Sequence, residues 1–412
     1  MNAFLPDNML EATRLTREGK LSEASALLQR LVRGEAPNGT MPTQVQGNAV
    51  QEGGGGRRMF DVHPVTGEAE APAPAAPRAT SAGHWHDGGL RTTLKTPEAL
   101  RGMFEYINQG GLAPAAEPFP NGAQFLAASF TSNIGTRGYK LYIPGSYLGE
   151  AMPLVVMLHG CTQSPDDFAA GTRMNTLAEE HGCLIVYPGQ PQSANAQKCW
   201  NWFSPGDQQR NQGEPALIAG ITRQVMGDYA IDASRVYVAG LSAGGAAAAI
   251  MAQAYPDLYA AAGVHSGLAC GAARDMPSAF AAMRQGATNP RPGGSSSPKA
   301  SQRIVPTIVF HADKDGTVHP RNSDQVIAQS AAAGVLRTEV RRGKVQGGHA
   351  YSLTIHSDAA GQPLLEQWLV HGGGHAWSGG SAAGSYTDPR GPDASREMLR
   401  FFLEHPQASP AG

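Results

Sequence analysis

One serine in this sequence lies where a strand is predicted to give way to a helix. The run VYVAGLSAGGAAAAI, residues 236–250, places Ser242 between Gly240 and Gly244. Glycines at these positions remove side chains that would clash where the strand and the helix approach each other. The turn would expose the Ser242 hydroxyl at the start of the helix, where backbone N–H groups stabilise negative charge. These residues predict a nucleophile, against the simpler reading of a packing joint built from small residues.

A serine nucleophile needs a base to take its proton and an acid to orient that base. Two candidate acids, Asp313 and Asp315, lie in the loop that ends the predicted strand of VPTIVFHADKDGTVHP. Asp315 lies four residues after His311 and three before Val318. This spacing resembles the His-Gly-X-X-Asp-X-X-Val pattern of many α/β-hydrolases, with Ala312 in place of the glycine. Asp315 is therefore the predicted acid, and Asp313 is the alternative.

The base must be one of thirteen histidines, and His375 fits best. It lies in VHGGGHAWSGG, after a strand predicted at residues 364–370, so its loop can return to the sheet edge that carries Ser242. The order Ser, Asp, His along the chain is also that of α/β-hydrolases. His371, a predicted strand-end residue, is the nearest alternative. Three further histidines are interpreted as structural: His265, His311 and His349.

Two backbone amides are predicted to form an oxyanion hole. One belongs to Ala243, the residue after the nucleophile, and the other to the loop after an earlier strand. The run VVMLHGCTQS supplies that loop, in which Gly160 permits an unusual backbone and Cys161 is the predicted donor. His159 is interpreted as a support for the loop rather than as a participant in the chemistry.

The elements that position these residues alternate along the chain after about residue 120. Short apolar runs predict strands: QFLAASF, GYKLYIP, PLVVMLHG, CLIVYPG, RVYVAG, AAAGVHSG and VPTIVFHAD. Helices are predicted near residues 165–181, 214–229 and 244–255. Apolar strands that alternate with helices indicate a mostly parallel sheet covered on both faces. The predicted fold is therefore a three-layer α/β sandwich.

The first part of the chain has a different composition. Residues 1–34 predict a small helical hairpin, which would pack on the main domain, form a dimer contact or dock on a hydrophobic surface. Residues 35–90 are rich in Gly, Pro and Ala and predict a linker. Its HWHD run is interpreted as solvated rather than as a metal site. Residues 91–412 are the predicted catalytic domain, with a core at about 120–405.

Composition excludes several classes of protein. The 412 residues carry a net charge of −2 with no long run of one sign, which does not favour nucleic acid as a partner. No apolar stretch approaches the roughly 20 residues of a membrane-spanning helix. The N-terminus shows no secretory signal, so cytoplasmic residence is the expectation. Neither a metal nor another cofactor is predicted.

Several separated motifs together resemble one family of esterases. LHGCTQSPDDFAAGTRMNTLAEEHG, YPGQPQSANAQKCWNWFSP, the Ser242 run, FHADKDGTVHPRN and GGGHAWSGG look like the poly(3-hydroxybutyrate) depolymerase family, which is related to feruloyl and acetyl xylan esterases. The resemblance covers roughly residues 120–405. It implies an α/β-hydrolase fold, a triad of Ser242, Asp315 and His375, and oxyanion donors at Cys161 and Ala243.

The same resemblance carries three further implications. It implies a disulfide between Cys161 and Cys199, which would pin the oxyanion loop to the substrate wall, although the absence of an export signal leaves a reduced state open. It implies an extracellular location as the alternative to the cytoplasm. Its substrates would be ester bonds, in a polyester at a granule surface or in a soluble acyl ester.

Features around the site leave the substrate open. Trp202 and Trp377 are predicted to form a wall of the site, since aromatic faces suit both an aliphatic polyester and a ferulate ring. Residues 275–302 are predicted to be a flexible insertion between two strands. Three functions compete: a polyester depolymerase or short-chain esterase, a feruloyl or acetyl xylan esterase, and a non-catalytic granule-binding protein on a hydrolase scaffold.

Overall fold

The computed structural model describes Pro120 and residues 122–288, 303–331 and 336–407. All of these residues belong to the predicted catalytic domain. The predicted hairpin at residues 1–34 and the predicted linker at 35–90 lie outside the described residues, and so does the HWHD run.

Strands and helices alternate through most of the described chain. The strands are β1 (Gln124–Ser132), β2 (Gly135–Ile143), β3 (Met152–Leu158), β4 (Leu184–Pro188), β5 (Ile231–Leu241), β6 (Ala261–His265), β7 (Thr307–Ala312), β8 (Arg337–Lys344), β9 (Ala350–Ser357), β10 (Pro363–His371), β11 (Trp377–Ser378) and β12 (Thr387–Asp388). The helices are α1 (Pro165–Thr172), α2 (Met174–His181), α3 (Gly213–Asp228), α4 (Ala243–Ala254), α5 (Met276–Gln285), α6 (Arg321–Ala331) and α7 (Ala394–Leu403).

Ten strands form one sheet in the order β1-β2-β4-β3-β5-β6-β7-β10-β9-β8. The central neighbours β4-β3-β5-β6-β7-β10 are parallel, so their carboxyl ends lie at one edge of the sheet. Antiparallel strands extend the sheet at both ends. The predicted three-layer α/β fold with a mostly parallel sheet is confirmed.

Hydrophobic clusters of the described residues cover both faces of the sheet. Because successive side chains of a strand point to opposite faces, Leu154 and Val156 of β3 enter one core, with residues of α3 and α4. Val155 and Met157 enter the other core, with residues of α1, α2 and α7. All seven side chains of β3 are buried, which explains why its sequence is apolar throughout.

Two predicted elements differ from the structure. The helix predicted at residues 165–181 is two helices, because Arg173 takes a left-handed conformation with φ 54° and its N–H bonds to the carbonyl of Ala169. The flexible insertion predicted from residue 275 onward begins instead with α5. Asp275 caps this helix by accepting the Ser278 N–H, and the Ser278 hydroxyl accepts the Asp275 N–H in return.

The sheet ends in a strand that the sequence analysis did not predict. Strand β8 has the sequence RTEVRRGK, and all but one of its residues are exposed. Among the described strands, β9 is its one neighbour in the sheet. Within the described residues, no helix is both long and apolar enough to cross a membrane.

Candidate active site

The serine between the two glycines lies on a sharp turn between β5 and α4. Ser242 has φ 58° and ψ −118°, a conformation that costs a non-glycine residue energy and that clusters at functional sites. A Cβ on Gly240 would lie 2.3 Å from the Gly244 carbonyl oxygen, and one on Gly244 would lie 2.0 Å from the Leu158 carbonyl oxygen. Both glycines are therefore required by the close approach of α4 to β3 and β5.

The start of α4 leaves backbone donors at the turn. The Ser242 N–H donates to the His265 carbonyl at 2.8 Å, and the Ser242 carbonyl accepts the Ala246 N–H at 2.9 Å. Ala243 is the first residue of the helix, and N–H groups in a first helical turn have no partner within the helix. The Ala243 amide is thus available to an oxygen atom bound beside Ser242.

The Asp315 carboxylate is buried and accepts hydrogen bonds on both oxygens. Its Oδ1 accepts the N–H groups of Thr317 at 2.9 Å and Val318 at 2.8 Å. Its Oδ2 lies 2.7 Å from Nδ1 of His375 and 3.4 Å from Nε2 of His311. The Asp315 side chain is fully enclosed.

These contacts keep the Asp315 carboxylate ionised beside His375. Burial alone would raise the pKa of Asp315, but the hydrogen bonds and charges of His311 and His375 hold it well below its usual range. An ionised Asp315 can only accept, so His375 Nδ1 donates the proton in this bond. This bond leaves Nε2 of His375 as the ring nitrogen that can accept a proton, which is the tautomer that a general base requires.

Topology brings the three predicted residues to one edge of the sheet. Ser242 follows β5, Asp315 follows β7, and His375 follows β10, and these strands are parallel within the order β5-β6-β7-β10. The structure therefore joins Asp315 to His375 by a hydrogen bond and places Ser242 at the same carboxyl edge.

The two alternatives considered for acid and base form a pair of their own. Asp313 Oδ2 lies 3.1 Å from His371 Nδ1, and Asp313 Oδ1 accepts the Gly372 N–H at 2.7 Å. His371 Nε2 lies 2.9 Å from the hydroxyl of Ser352 in β9. Asp313 thus ties the end of β10 to the end of β7 through His371 and Gly372.

The loop after β3 approaches the serine closely. A Cβ on Gly160 would lie 3.6 Å from the Cβ of Ser242, so the backbone that leads into Cys161 passes close to the predicted nucleophile. A disulfide joins Cys161 to Cys199, and the Thr162 N–H donates to the Gln197 carbonyl at 2.6 Å. The segment around residues 197–199 therefore holds this loop from one side.

The buried His159 supports the same loop by hydrogen bonds. Its Nε2 accepts the Gln190 N–H at 3.1 Å, so its Nδ1 carries the proton and donates to the Gly160 carbonyl at 2.7 Å. Trp200 Nε1 donates to the His159 carbonyl at 3.0 Å. Burial lowers the pKa of His159 to about 4, so it stays neutral and structural, in line with its interpretation from the sequence.

A buried acid that the sequence analysis missed anchors the neighbouring segment. Glu214 Oε2 accepts the Asn201 N–H at 2.7 Å, and its Oε1 accepts Asn201 Nδ2 at 2.8 Å and Gln190 Nε2 at 2.5 Å. Burial and the nearby Asp207 carboxylate raise the pKa of Glu214 to about 7. The only sequence signal was a glutamate in the first turn of a helix whose buried residues are mostly apolar.

The structure corrects the prediction for the two tryptophans. Trp377 is 1% exposed, stacks on His265 at 4.9 Å, meets Phe168 edge-on at 5.4 Å and donates from Nε1 to the Ser395 hydroxyl. It is a core residue, so its assignment to a substrate wall is wrong. Trp202 is 6% exposed and belongs to the other core, which limits any contact with substrate to a small edge.

His265, beneath the site, is likewise part of the core. Its ring lies between Trp377 and Phe310, and its Nε2 accepts the Ser378 N–H at 2.9 Å. Burial lowers its pKa to about 3, so it remains neutral. Among the described residues, no cluster of three or more His, Cys, Asp or Glu side chains is placed to hold a metal ion.

Comparison with known proteins gives one family and several relatives. The model of the esterase PHB depolymerase family matches residues 137–344, about half of the chain. Poly(3-hydroxyalkanoate) depolymerase C of Paucimonas lemoignei is 34% identical over 266 residues, which are 60% of this chain and 61% of that protein. Feruloyl esterase B of Neurospora crassa is 29% identical over 274 residues, 63% of this chain and 86% of that protein.

The fold has a counterpart among solved structures. The acetyl xylan esterase from Aspergillus awamori matches with a TM-score of 0.55 at 22% identity, over 68% of this chain and 99% of that one. At this identity the likeness shows the fold. The match to the Paucimonas depolymerase spans only about three fifths of that protein's length.

Proposed function

Because the chain belongs to the esterase PHB depolymerase family, we propose that it is a serine esterase that hydrolyses poly(3-hydroxybutyrate) or a related short-chain polyester through an acyl-enzyme. The observation that carries this proposal is the 2.7 Å contact between His375 and the buried, ionised Asp315. It lies at the sheet edge where Ser242 occupies a strained turn.

In the proposed first half-reaction, the Ser242 hydroxyl attacks the carbonyl carbon of an ester. His375 Nε2 takes the hydroxyl proton, and Asp315 stabilises the imidazolium that forms. The carbonyl oxygen becomes an oxyanion, which the amides of Cys161 and Ala243 hold by hydrogen bonds. His375 then gives its proton to the departing alcohol, which leaves the acyl group on Ser242.

In the second half-reaction, water replaces the alcohol. His375 takes a proton from the water as it attacks the acyl carbonyl, and the same two amides hold the second oxyanion. Collapse of this intermediate returns the proton to Ser242 and releases the acid. For a polyester the acid is itself a shorter chain ending in a carboxylate.

The polyester is the first choice of substrate because the family and the Paucimonas relative carry the name of a depolymerase. A feruloyl or acetyl xylan ester is the second candidate. It is favoured by the Neurospora feruloyl esterase, of which this chain covers 86%, against 61% of the depolymerase. Binding to a granule surface through residues 1–34 remains part of the first proposal.

The Cys161–Cys199 disulfide bears on the location of the protein. Disulfides persist in oxidising compartments and are rare in the cytosol. The bond supports the extracellular alternative over the cytoplasmic expectation. Alkylation of the denatured, unreduced protein from its native cells tests this: two modified cysteines support an oxidising location, and four support a reducing one.

The function is tested by hydrolysis of three substrates: amorphous poly(3-hydroxybutyrate), methyl ferulate and a p-nitrophenyl acyl series. Ser242→Ala is the inactive variant, and Ser352→Ala is its matched control, because Ser352 contacts a histidine outside the site. Release of hydroxybutyrate oligomers that only Ser242→Ala abolishes supports the depolymerase. Release of ferulate with untouched polymer moves the protein to the second candidate, and activity that survives Ser242→Ala refutes the mechanism.

A further inference from the structure

A buried glutamine links the loop that carries the predicted oxyanion donor to the segment that follows the predicted base. Gln163 is 2% exposed and follows Cys161 by two residues. Its Oε1 accepts the Gly160 N–H at 2.9 Å. The side chain therefore holds the peptide immediately before the Cys161 amide.

The other end of this side chain is held by groups that fix its orientation. Gln163 Nε2 donates to Asp167 Oδ2 at 2.9 Å and to the Ser385 carbonyl at 3.1 Å. Both atoms can only accept hydrogen bonds. The amide nitrogen must face them, and the amide oxygen is then directed at Gly160.

Asp167 in turn fixes the segment that follows His375 in the chain. Its Oδ1 accepts the Ser385 N–H at 2.9 Å, and its Oδ2 accepts the Ser385 hydroxyl. Ser385 lies in the segment between β11 and β12, ten residues beyond His375. Through Gln163, the oxyanion loop and this segment share one partly buried hydrogen-bonded cluster.

The backbone around Cys161 is also restrained by its own turn. Thr162 has φ 66°, and the Gln163 N–H returns to the Gly160 carbonyl at 3.4 Å. A Cβ on Gly160 would meet Gln163 Oε1 at 3.1 Å, so this side chain lies directly against the loop backbone. Gln163 therefore restrains the backbone immediately before Cys161.

We propose that Gln163 is a positioning residue that aims the Cys161 amide at the oxyanion and couples the oxyanion loop to the segment after His375. This inference rests on the proposed esterase function. Oxyanion donors act on the charge that develops in the transition state, and a displacement of about 1 Å can cost about 100-fold in rate. Loss of Gln163 therefore affects kcat more than KM.

The test compares Gln163→Met with Gln367→Met, which removes the same amide from a hydrogen-bonded glutamine on β10 facing α6. The measurements are kcat and KM on p-nitrophenyl butyrate, the inhibition constant of phenylboronic acid, and the melting temperature. The boronic acid forms a tetrahedral adduct with an active serine, so its affinity reports the oxyanion site. We expect Gln163→Met to lower kcat by about 10- to 100-fold, with KM within about threefold, and to weaken the boronate in the same proportion as kcat.

A second variant separates positioning from general damage to the fold. Gln163→Glu keeps an oxygen acceptor for the Gly160 N–H but sets a carboxylate oxygen against the Asp167 carboxylate. The nearby His159 is neutral, because burial lowers its pKa to about 4, so it does not offset this repulsion. Protonation of the introduced carboxyl restores a donor toward Asp167. Its kcat relative to wild type should therefore rise as the pH is lowered, whereas a purely structural defect gives a constant ratio.

The outcomes are distinct. A Gln163→Met variant that keeps kcat within about twofold of Gln367→Met overturns the positioning role, and so does a loss of activity with unchanged boronate affinity. If the wild-type protein hydrolyses no ester, the proposed function itself fails, and this inference fails with it. Matched losses in kcat and boronate affinity, with the pH-dependent recovery of Gln163→Glu, support it.

Discussion

The assignment of Asp315 as the acid is tested by replacing it with its isosteric amide. In Asp315→Asn the side-chain oxygen must face the N–H groups of Thr317 and Val318, which donate at 2.9 and 2.8 Å. The introduced NH2 group then occupies the place of Oδ2, 2.7 Å from Nδ1 of His375. Since NH2 can only donate, Nδ1 must accept, and the proton of the imidazole moves to Nε2.

This change of tautomer removes the base without removing any side chain. A protonated Nε2 cannot take the proton of Ser242, and the equivalent substitution in a Ser-His-Asp triad lowers kcat by about 10⁴-fold. A loss of this size corresponds to about 5 kcal/mol of transition-state stabilisation. We expect such a loss in kcat on p-nitrophenyl butyrate, with KM nearly unchanged. The imidazole nitrogen chemical shifts should report the new tautomer.

The matched control is Asp313→Asn, two residues away. Asp313 and His371 are each about one third exposed, and such pairs contribute at most about 1 kcal/mol. The control should therefore keep kcat within about fivefold of wild type. The reasoning is refuted if Asp315→Asn retains more than about a tenth of wild-type kcat, or if Asp313→Asn loses as much.

Three further predictions concern the framework of the site. Between about pH 4.5 and about 7 the folded state keeps a proton on Glu214 that the unfolded chain has lost. The free energy of unfolding of wild type, relative to that of Glu214→Gln, should therefore fall by about 3 kcal/mol as the pH rises through this window. Urea unfolding of the two proteins at several pH values measures this difference. Equal pH profiles for the two proteins would contradict this. Cys199→Ser opens a disulfide that spans 38 residues, and we expect it to lower the free energy of unfolding by about 4 kcal/mol. We also expect it to lower kcat while leaving KM less affected. Unchanged kinetics would show that the Cys161 amide needs no such restraint. Gly244→Ala should yield little folded protein in circular dichroism, because its Cβ would lie 2.0 Å from a carbonyl oxygen of β3, whereas Gly206→Ala, with nothing within 4 Å, should fold normally.

The sequence could predict features that depend on local backbone constraints. Gly240 and Gly244 indicated a close approach of strand and helix, and the structure shows that approach. The order of strands and helices gave the parallel sheet, whose topology sets Ser242, Asp315 and His375 at one edge. The oxyanion and triad roles of these residues remain predictions until the variants are measured.

The sequence could not predict features that depend on long-range packing. Trp377 is next but one to His375 along the chain, yet its ring turns into the core against His265. The roles of Gln163 and Glu214 depend on partners that lie up to 222 and 24 residues away along the chain. Strand β8 was missed because its exposed, charged residues show no apolar alternation.

The same exposed strand has a consequence for how molecules of this protein meet. An unpaired sheet edge is a template on which another sheet can grow, and charged side chains oppose such growth. Strand β8 carries Arg337, Arg341, Arg342 and Lys344 against a single acid, Glu339. Two copies brought together along this edge would set like charges side by side, so the basic side chains of β8 oppose addition of a further strand to the ten that the described residues form.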